Sequence, residues 1–217
     1  ALPFLEDYKL PGTFYIVVNN MKSGGLLYMK PNQVEIISGL NHEISSFDHE
    51  IGSNGLNRSL FPYYLWFKKE KDIRKSKEVL ESLTGKEVKS FAYPYGGRFN
   101  KQIIKMVSDA GYKNARTTEN HFYGEFPGFN PHRVNPFKIS CKVVRKDTTI
   151  EDVKSWIITA QGYDLWLILN FHQVVKNPYS LGCTPEFFEE VCKLLNSAHV
   201  QVENVSKGFE MFSASTK

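Results

Sequence analysis

Chemistry-bearing residues gather in a few short stretches of the sequence. In Phe91-Ala92-Tyr93-Pro94-Tyr95-Gly96-Gly97 a proline and two glycines follow an apolar, β-rich segment. Pro94 lacks an N–H and fixes its own φ, so it ends a strand, and the glycines allow turns that other residues resist. Such a loop can aim the Tyr95 N–H at a developing oxyanion; a plain strand-to-helix turn uses the same residues. Asn170-Phe171-His172 closes the apolar run Leu165 to Leu169. A His at a strand mouth is a candidate general acid or base because it titrates near neutrality, and a hydrogen-bonded structural His is the alternative. Asp48, His49 and Glu50 are metal-ligand types. Neighbours on an extended strand point to opposite faces, which argues against a metal site built from these three alone. His132-Arg133 supplies a guanidinium able to orient a carboxylate or a sugar oxygen, or to form a surface ion pair.

The elements that position these groups alternate between strand and helix. Leu2 to Leu10 reads as an amphipathic helix ended by Pro11-Gly12, and Thr13 to Val18 as a strand. Val34 to Gly39 fits helix or strand, and Phe47 to Gly52 a short strand. Asp72 to Leu83 has a helical apolar face, with Asp72 as its cap and Gly85 as its stop. Val88 to Ala92, Asn114 to Thr117, Ile139 to Val144, Leu165 to Phe171 and Val200 to Val205 read as strands. Helices begin at the caps Asn100, Thr148 or Thr149, and Thr184, the last with Pro185 at its first position. Leu165 to Phe171 is apolar throughout, as parallel strands covered on both faces tend to be. This alternation predicts a mostly parallel sheet, open or closed into a barrel, in one domain over residues 1–217.

Composition narrows the function classes. The 217 residues are 41% hydrophobic and 23% charged, an ordinary globular balance. Net charge is +4, and the basic run Lys68 to Lys77 is interrupted by Glu70 and Asp72, the pattern of a solvated helix face rather than a nucleic-acid surface. The longest apolar runs fall far short of the ~18 residues of a membrane span, and no signal peptide is visible. The compartment stays open. Aromatic residues make up 14%, which suits a sugar-facing groove or a Phe-rich core. The three cysteines, Cys141, Cys183 and Cys192, give no disulfide framework; Cys183 and Cys192 read as buried thiols that could pair if geometry allows. Asn57 and Asn204 each open an N-x-Ser acceptor pattern.

The order of these stretches resembles the polysaccharide deacetylases. LPFLEDYKLPGTFYIVV (Leu2 to Val18) is similar to that family's first helix and second strand, and Asp48 to Leu60 to its second motif. EVLESLTGKEVKSFAYPYGGRFN (Glu78 to Asn100) is similar to the third motif with the helix before it, continued by Lys101 to Thr117. Leu165 to His172 is similar to the last motif, and Arg133 is a weak match to a charged position. The resemblance implies a distorted (β/α) barrel with a groove for a carbohydrate polymer or oligomer. It implies hydrolysis of N-acetyl or O-acetyl groups assisted by zinc or another divalent metal, held by one Asp and two His, with a second Asp as base. His172 would protonate the leaving group, the Tyr95 N–H would steady the oxyanion, and Arg133, Pro94 and Trp166 would face substrate.

Three departures shape the expectation. The paired Asp residues belong to the family's first strand, and the chain starts after it, so the barrel is expected to lack that strand and leave an edge or a gap. The two metal His positions align with Asn54 and Arg58; a neutral amide is a poor zinc ligand, and a guanidinium does not give up its proton to become one. Ala92 stands where many members place an Arg. No metal ligand is therefore assigned. The leading expectation is a non-catalytic relative that binds carbohydrate or a partner, with Tyr93, Tyr95, Phe122, Tyr123 and Trp166 near the groove. A hydrolase of non-peptide C–N bonds with an atypical site, and an evolutionary remnant, are the alternatives.

Overall fold

The computed structural model describes residues 1–22, 28–39, 48–58, 66–96, 99–118, 126–198 and 200–214. Helix α1 (Leu2–Asp7) leads to strand β1 (Thr13–Ile16), then to α2 (Val18–Lys22) and α3 (Pro31–Ile37). Next come β2 (Glu50–Ser53), the long α4 (Trp66–Thr84), β3 (Ser90–Ala92), a single 3-10 turn at Pro94–Gly96, α5 (Lys101–Asp109) and β4 (Asn114–Arg116). The second half holds β5 (Phe129–Asn130), β6 (Lys142–Val143), α6 (Ile150–Gly162), β7 (Trp166–Leu167), β8 (Leu169–Asn170), β9 (Gln173–Val174), β10 (Gly182–Cys183), α7 (Pro185–Ser197) and α8 (Val205–Ala214). Among the described residues no helix is long and apolar enough to cross a membrane.

The strands β1, β2, β3 and β4 lie side by side in chain order and all parallel. A parallel bridge from Arg116 to Ile139 carries the wall on toward β6, which pairs in parallel with β8. The result is a mixed α/β fold with a curved parallel wall, and closure into a complete barrel is not seen among the described residues. Parallel strands all point their C-terminal ends the same way. Asn54, the Pro94–Gly96 turn, Arg116, Arg145 and His172 therefore follow strand ends on one rim, where α/β folds concentrate chemistry.

Packing explains why these elements form. Ile16, Ile51, Phe91 and Ala115 from the strands pack with Ile73 and Leu80 of α4 and Ile103 and Val107 of α5 in one buried cluster. Val153 and Ile157 of α6 pack against Val191 of α7, with Leu167 and Leu169 at the margin. The helix starts at Asn100, Thr149 and Thr184 are capped as expected: each side-chain oxygen accepts the N–H three residues on.

Several expectations change. Val34 to Gly39 resolves as helix α3, where Val34 and Ile37 bury one face. Helix α4 begins at Trp66, so Asp72 lies inside it and caps nothing; its carboxylate turns to the neighbouring loop instead. Val200 to Val205 is not a strand, because Val205 opens α8. Asn204 is buried and its amide donates to the Asp48 carbonyl at 3.0 Å, so it is no accessible glycan acceptor. Leu165 to Phe171 splits into β7, antiparallel to β5, and β8, parallel to β6. Its residues Leu165 to Leu169 are only half-buried because the segment forms one bank of a crevice rather than a covered central strand. Phe47 lies outside the described residues.

At the strand starts, Glu50 ties the sheet to the last helix. Its carboxylate accepts from Thr13 Oγ1 at 2.8 Å, from the Ser206 N–H at 3.1 Å, and from the Ser206 hydroxyl. The chain continues from Ser206 to Asn114 (2.9 Å), from Asn114 to Ser90 (2.7 Å) and from Ser90 to the Tyr15 hydroxyl (2.6 Å). Burial raises the Glu50 pKa, and the hydrogen bonds from Ser206 and Thr13 oppose that rise. A raised folded pKa means that the folded state holds the proton more tightly. The Glu50 contribution to stability is therefore largest at low pH and declines as pH rises from the ordinary carboxylate value through the raised one. Unfolding of wild type and Glu50→Gln across this range should show that slope in wild type and lose it in the variant; parallel curves would refute the assignment.

Candidate functional site

The second-motif loop leaves β2 at Ser53 and is held from beneath by α4. Asp72 is buried and accepts from the Leu56 N–H at 2.9 Å and the Asn57 N–H at 3.2 Å. Gly55 has φ +81°, and a Cβ there would lie 2.7 Å from the Asp72 carboxylate, so glycine is required by both backbone and space. The Asn54 N–H donates to Ile16 at 2.8 Å, extending the β1–β2 pairing to the rim. These restraints fix where Asn54 and Arg58 project.

The third-motif loop meets it. Pro94 is buried, and a Cβ added at Gly55 would lie 3.9 Å from its Cγ. Tyr95 takes a positive φ of 58° and is exposed, with the Arg58 guanidinium 5.1 Å from its ring centre. Gly96 also has positive φ, and a Cβ would lie 2.0 Å from the Thr118 side chain. The Thr118 N–H donates to the Gly96 carbonyl at 2.9 Å, pinning the turn to the end of β4. Gly97 lies outside the described residues.

Arg116, which the sequence reading passed over, is the largest addition to the site. It ends β4, is 7% exposed, lies 4.7 Å over the Tyr15 ring, and donates through one terminal nitrogen to the Thr117 carbonyl. The signal for it was a charged residue at the rim end of the run Asn114 to Thr117. Tyr15 enters with it, because Gly52 beneath the ring leaves room for an aromatic side chain inside the wall.

His172 stands on the same rim, beyond Asn170 at the end of β8. By surface area it is exposed, yet the crevice walls remove enough water that its pKa falls to about 4, first through desolvation and then through the positive charges of Arg116, Arg58 and Arg145. His172 is thus a neutral imidazole at physiological pH. It is suited to accept or donate one hydrogen bond, and it is too weak a base to hold a proton for a leaving group near neutrality.

The other sequence candidates lie away from this rim, although Trp166 lines the same crevice. Trp166 starts β7 and packs on Gly208 and Phe209 of α8, six residues upstream of His172. Arg133 is exposed with positive φ, in the turn whose neighbour His132 bonds Asp164 at 2.8 Å and stacks on Phe212. Tyr93 is a core residue stacked on Phe99, and Phe122 and Tyr123 lie outside the described residues. His49 accepts from the Gly12 N–H and bonds Glu6, while Glu50 serves the strand-start network, so neither faces the rim site. Cys141, Cys183 and Cys192 are free and buried, and burial holds the last two thiols up at about 11.

A crevice of about 1020 Å³ opens beside these groups, between β1 on one bank and Leu165 to Val175 on the other. Asn54, Arg58, Arg116, Asn170 and His172 line its rim end. Among the described residues, four buried atoms there have no hydrogen-bond partner: Asn54 Oδ1, Arg58 Nε, Arg116 Nε and Asn170 Nδ2.

The sequence profile of the polysaccharide deacetylases matches residues 1–115, more than half of the chain. The chain belongs to the polysaccharide deacetylase family. No curated protein matches it. Among solved structures it is similar to a polysaccharide deacetylase from Bacillus cereus, with 22% identity, TM-score 0.53, and coverage of 68% of this chain and 42% of that one. It is also similar to a CE4 family pseudoenzyme from Bacillus anthracis (13% identity, TM-score 0.58, 96% of this chain and 58% of that one). A third is a peptidoglycan N-acetylglucosamine deacetylase (14% identity, TM-score 0.61, 96% and 79%). These likenesses establish the fold. The chain spans about two fifths of the length of the B. cereus deacetylase.

The family's metal can be tested against the residues present. Asn54 offers a neutral amide, and Arg58 offers a cation whose buried Nε is a donor. Arg116 and Arg145 add positive charge near His172. Among the described residues no group of three His, Cys, Asp or Glu side chains could hold a metal ion. A divalent cation would meet repulsion in place of thiolate, imidazole or carboxylate, so the described residues do not fit zinc.

Two outcomes follow. Asp72→Ala leaves the Leu56 and Asn57 N–H groups without their acceptor and should lower unfolding free energy by about 2 kcal/mol or more in denaturant titration; a change near zero would show that the loop does not depend on it. NMR titration of His172 should give a midpoint near 4 rather than 6.5, so that its contribution to stability is lost as pH falls from 6.5 through about 4. Arg58→Gln should raise that midpoint, and an unmoved midpoint would remove Arg58 as a cause.

Proposed function

We propose that this protein is a carbohydrate-binding member of its family that does not hydrolyse acetyl groups through the family's metal. The observation that carries the reading is Arg58. It occupies a position where the family resemblance calls for a metal-binding His, and its guanidinium lies on the Tyr95 ring with Nε buried. The loops that shape a deacetylase groove are kept, and the two positions that the resemblance gives to metal-binding His carry Asn54 and Arg58. His172, neutral with a pKa near 4, supports the same reading, because protonating an amine leaving group calls for an acid with a pKa much nearer neutrality. The ligand would be a glycan chain laid across the strand-end rim, with the exposed face of Tyr95 as an apolar platform and His172 as a hydrogen-bonding partner. Pro94, buried beneath the turn, acts by shaping the loop.

Of the two residues that the resemblance set toward substrate, Trp166 lines the crevice away from His172 and Arg133 is not among its lining residues. The test is binding measured alongside turnover. Titration calorimetry with N-acetylated chitin and peptidoglycan oligomers should give saturable binding, with no acetate released in the presence of added zinc, nickel or cobalt. Tyr95→Ala should weaken that binding. Acetate release dependent on the added metal would establish an enzyme instead, and no binding to any glycan would leave the reading unsupported.

A further inference from the structure

The four unpaired polar atoms at the rim end of the crevice are chemically uneven. Arg58 Nε, Arg116 Nε and Asn170 Nδ2 are donors, and Asn54 Oδ1 is an acceptor. Both guanidinium groups spend one face on an aromatic ring, Arg58 on Tyr95 and Arg116 on Tyr15. What remains unpartnered is Nε on each, with one terminal nitrogen of Arg116 spent on the Thr117 carbonyl; an Nε beside the other terminal nitrogen is an edge that binds carboxylates in a fork. Nε of each arginine is buried without a hydrogen-bond partner among the described residues, and Arg116 is 7% exposed. Two like charges facing one confined space are costly unless an anion joins them. Protonation of His172 would add a third, and the arginines suppress it.

We propose that Arg58, Arg116 and Asn170 form a carboxylate-binding site that takes an acidic sugar, with Asn54 accepting a hydrogen bond from a hydroxyl of the same residue. The sugar half of this inference rests on the carbohydrate-binding reading above; the carboxylate half rests on the donors alone. A uronic acid or a lactyl-bearing sugar carries both the acceptor pair that the donors lack and the hydroxyl that Asn54 lacks. The crevice of about 1020 Å³ is far larger than a free anion needs, which favours an anion borne on a larger body. The site lies where the family resemblance puts a metal, so attraction for an anionic ligand atom is kept while the metal itself is replaced by fixed guanidinium charge.

The test compares matched ligands by calorimetry and by thermal shift: glucuronate and N-acetylmuramic acid, their methyl esters, N-acetylglucosamine, and acetate. The acidic sugars should bind roughly tenfold or more tightly than the esters, the loss expected for one charge-assisted bond pair. That preference should weaken as salt is raised. Arg58→Gln should remove it, so that acid and ester bind equally. Arg116→Gln should do the same, and the half-buried Arg58 in its loop keeps the test decisive should the Arg116 variant fail to fold. Equal binding of acid and ester would overturn the site while leaving carbohydrate binding intact. Acetate bound as tightly as glucuronate would overturn the sugar half alone. An acid preference that survives Arg58→Gln would also overturn the assignment.

Discussion

Glu50 accepts from Thr13, from the Ser206 backbone and from the Ser206 hydroxyl, so one carboxylate joins the first strand, the second strand and the last helix. Ser206 passes the connection to Asn114 and Ser90 on β4 and β3, and Ser90 passes it to Tyr15. Every strand of the parallel wall from β1 to β4 thus contributes to one polar chain. A buried charge of this kind is tolerable only when its lone pairs are satisfied, and here the N-terminal turn of α8 supplies a backbone donor where its dipole favours an anion. The network closes the strand-start end of the wall, and this frees the opposite rim to carry the site.

The rim is built by restraints that act at a distance from its reactive groups. Asp72, buried in α4, holds the loop bearing Asn54 and Arg58 through two backbone N–H groups. Pro94 lies against Gly55, and Gly96 lies against Thr118, so loops from three strand ends lock against one another. This scaffold is the one its family uses to place a metal, with the charge of the occupant reversed. Arg58 and Arg116 make this rim electropositive, and the depressed pKa of His172 registers their charge after desolvation.

The crevice gives the wall its asymmetry. Among the described residues β1 pairs with β2 alone, and β8 pairs with β6 alone, leaving two strand edges facing each other across open space. Backbone groups along these edges remain available to whatever lies between them. The half-buried state of Leu165 to Leu169 is a direct consequence, since apolar side chains on that bank have a neighbour on one side only.

Local signals were enough for much of this. The caps at Asn100, Thr149 and Thr184, the Pro-Gly turn after β3 and the alternation of strand and helix are set by residues within a few positions of each other, and these gave the fold class and the family. That Asn54 and Arg58 make poor zinc ligands was equally legible, because it concerns what a side chain can chemically do. Tertiary structure decided the rest. Asp72 looked like a cap because its sequence neighbours are helical, but its partners are backbone groups of a loop 15 and 16 residues away. Trp166 and His172 share one apolar run, yet a strand separates them toward opposite ends of the wall. Arg116 gains its importance only where Tyr15, 101 positions earlier in the chain, slides beneath its guanidinium. A lone Arg at a strand end is ordinary in sequence, and the gathering of two guanidinium groups, each with a buried Nε lacking a partner among the described residues, beside one neutral imidazole exists only once the strands have been laid side by side.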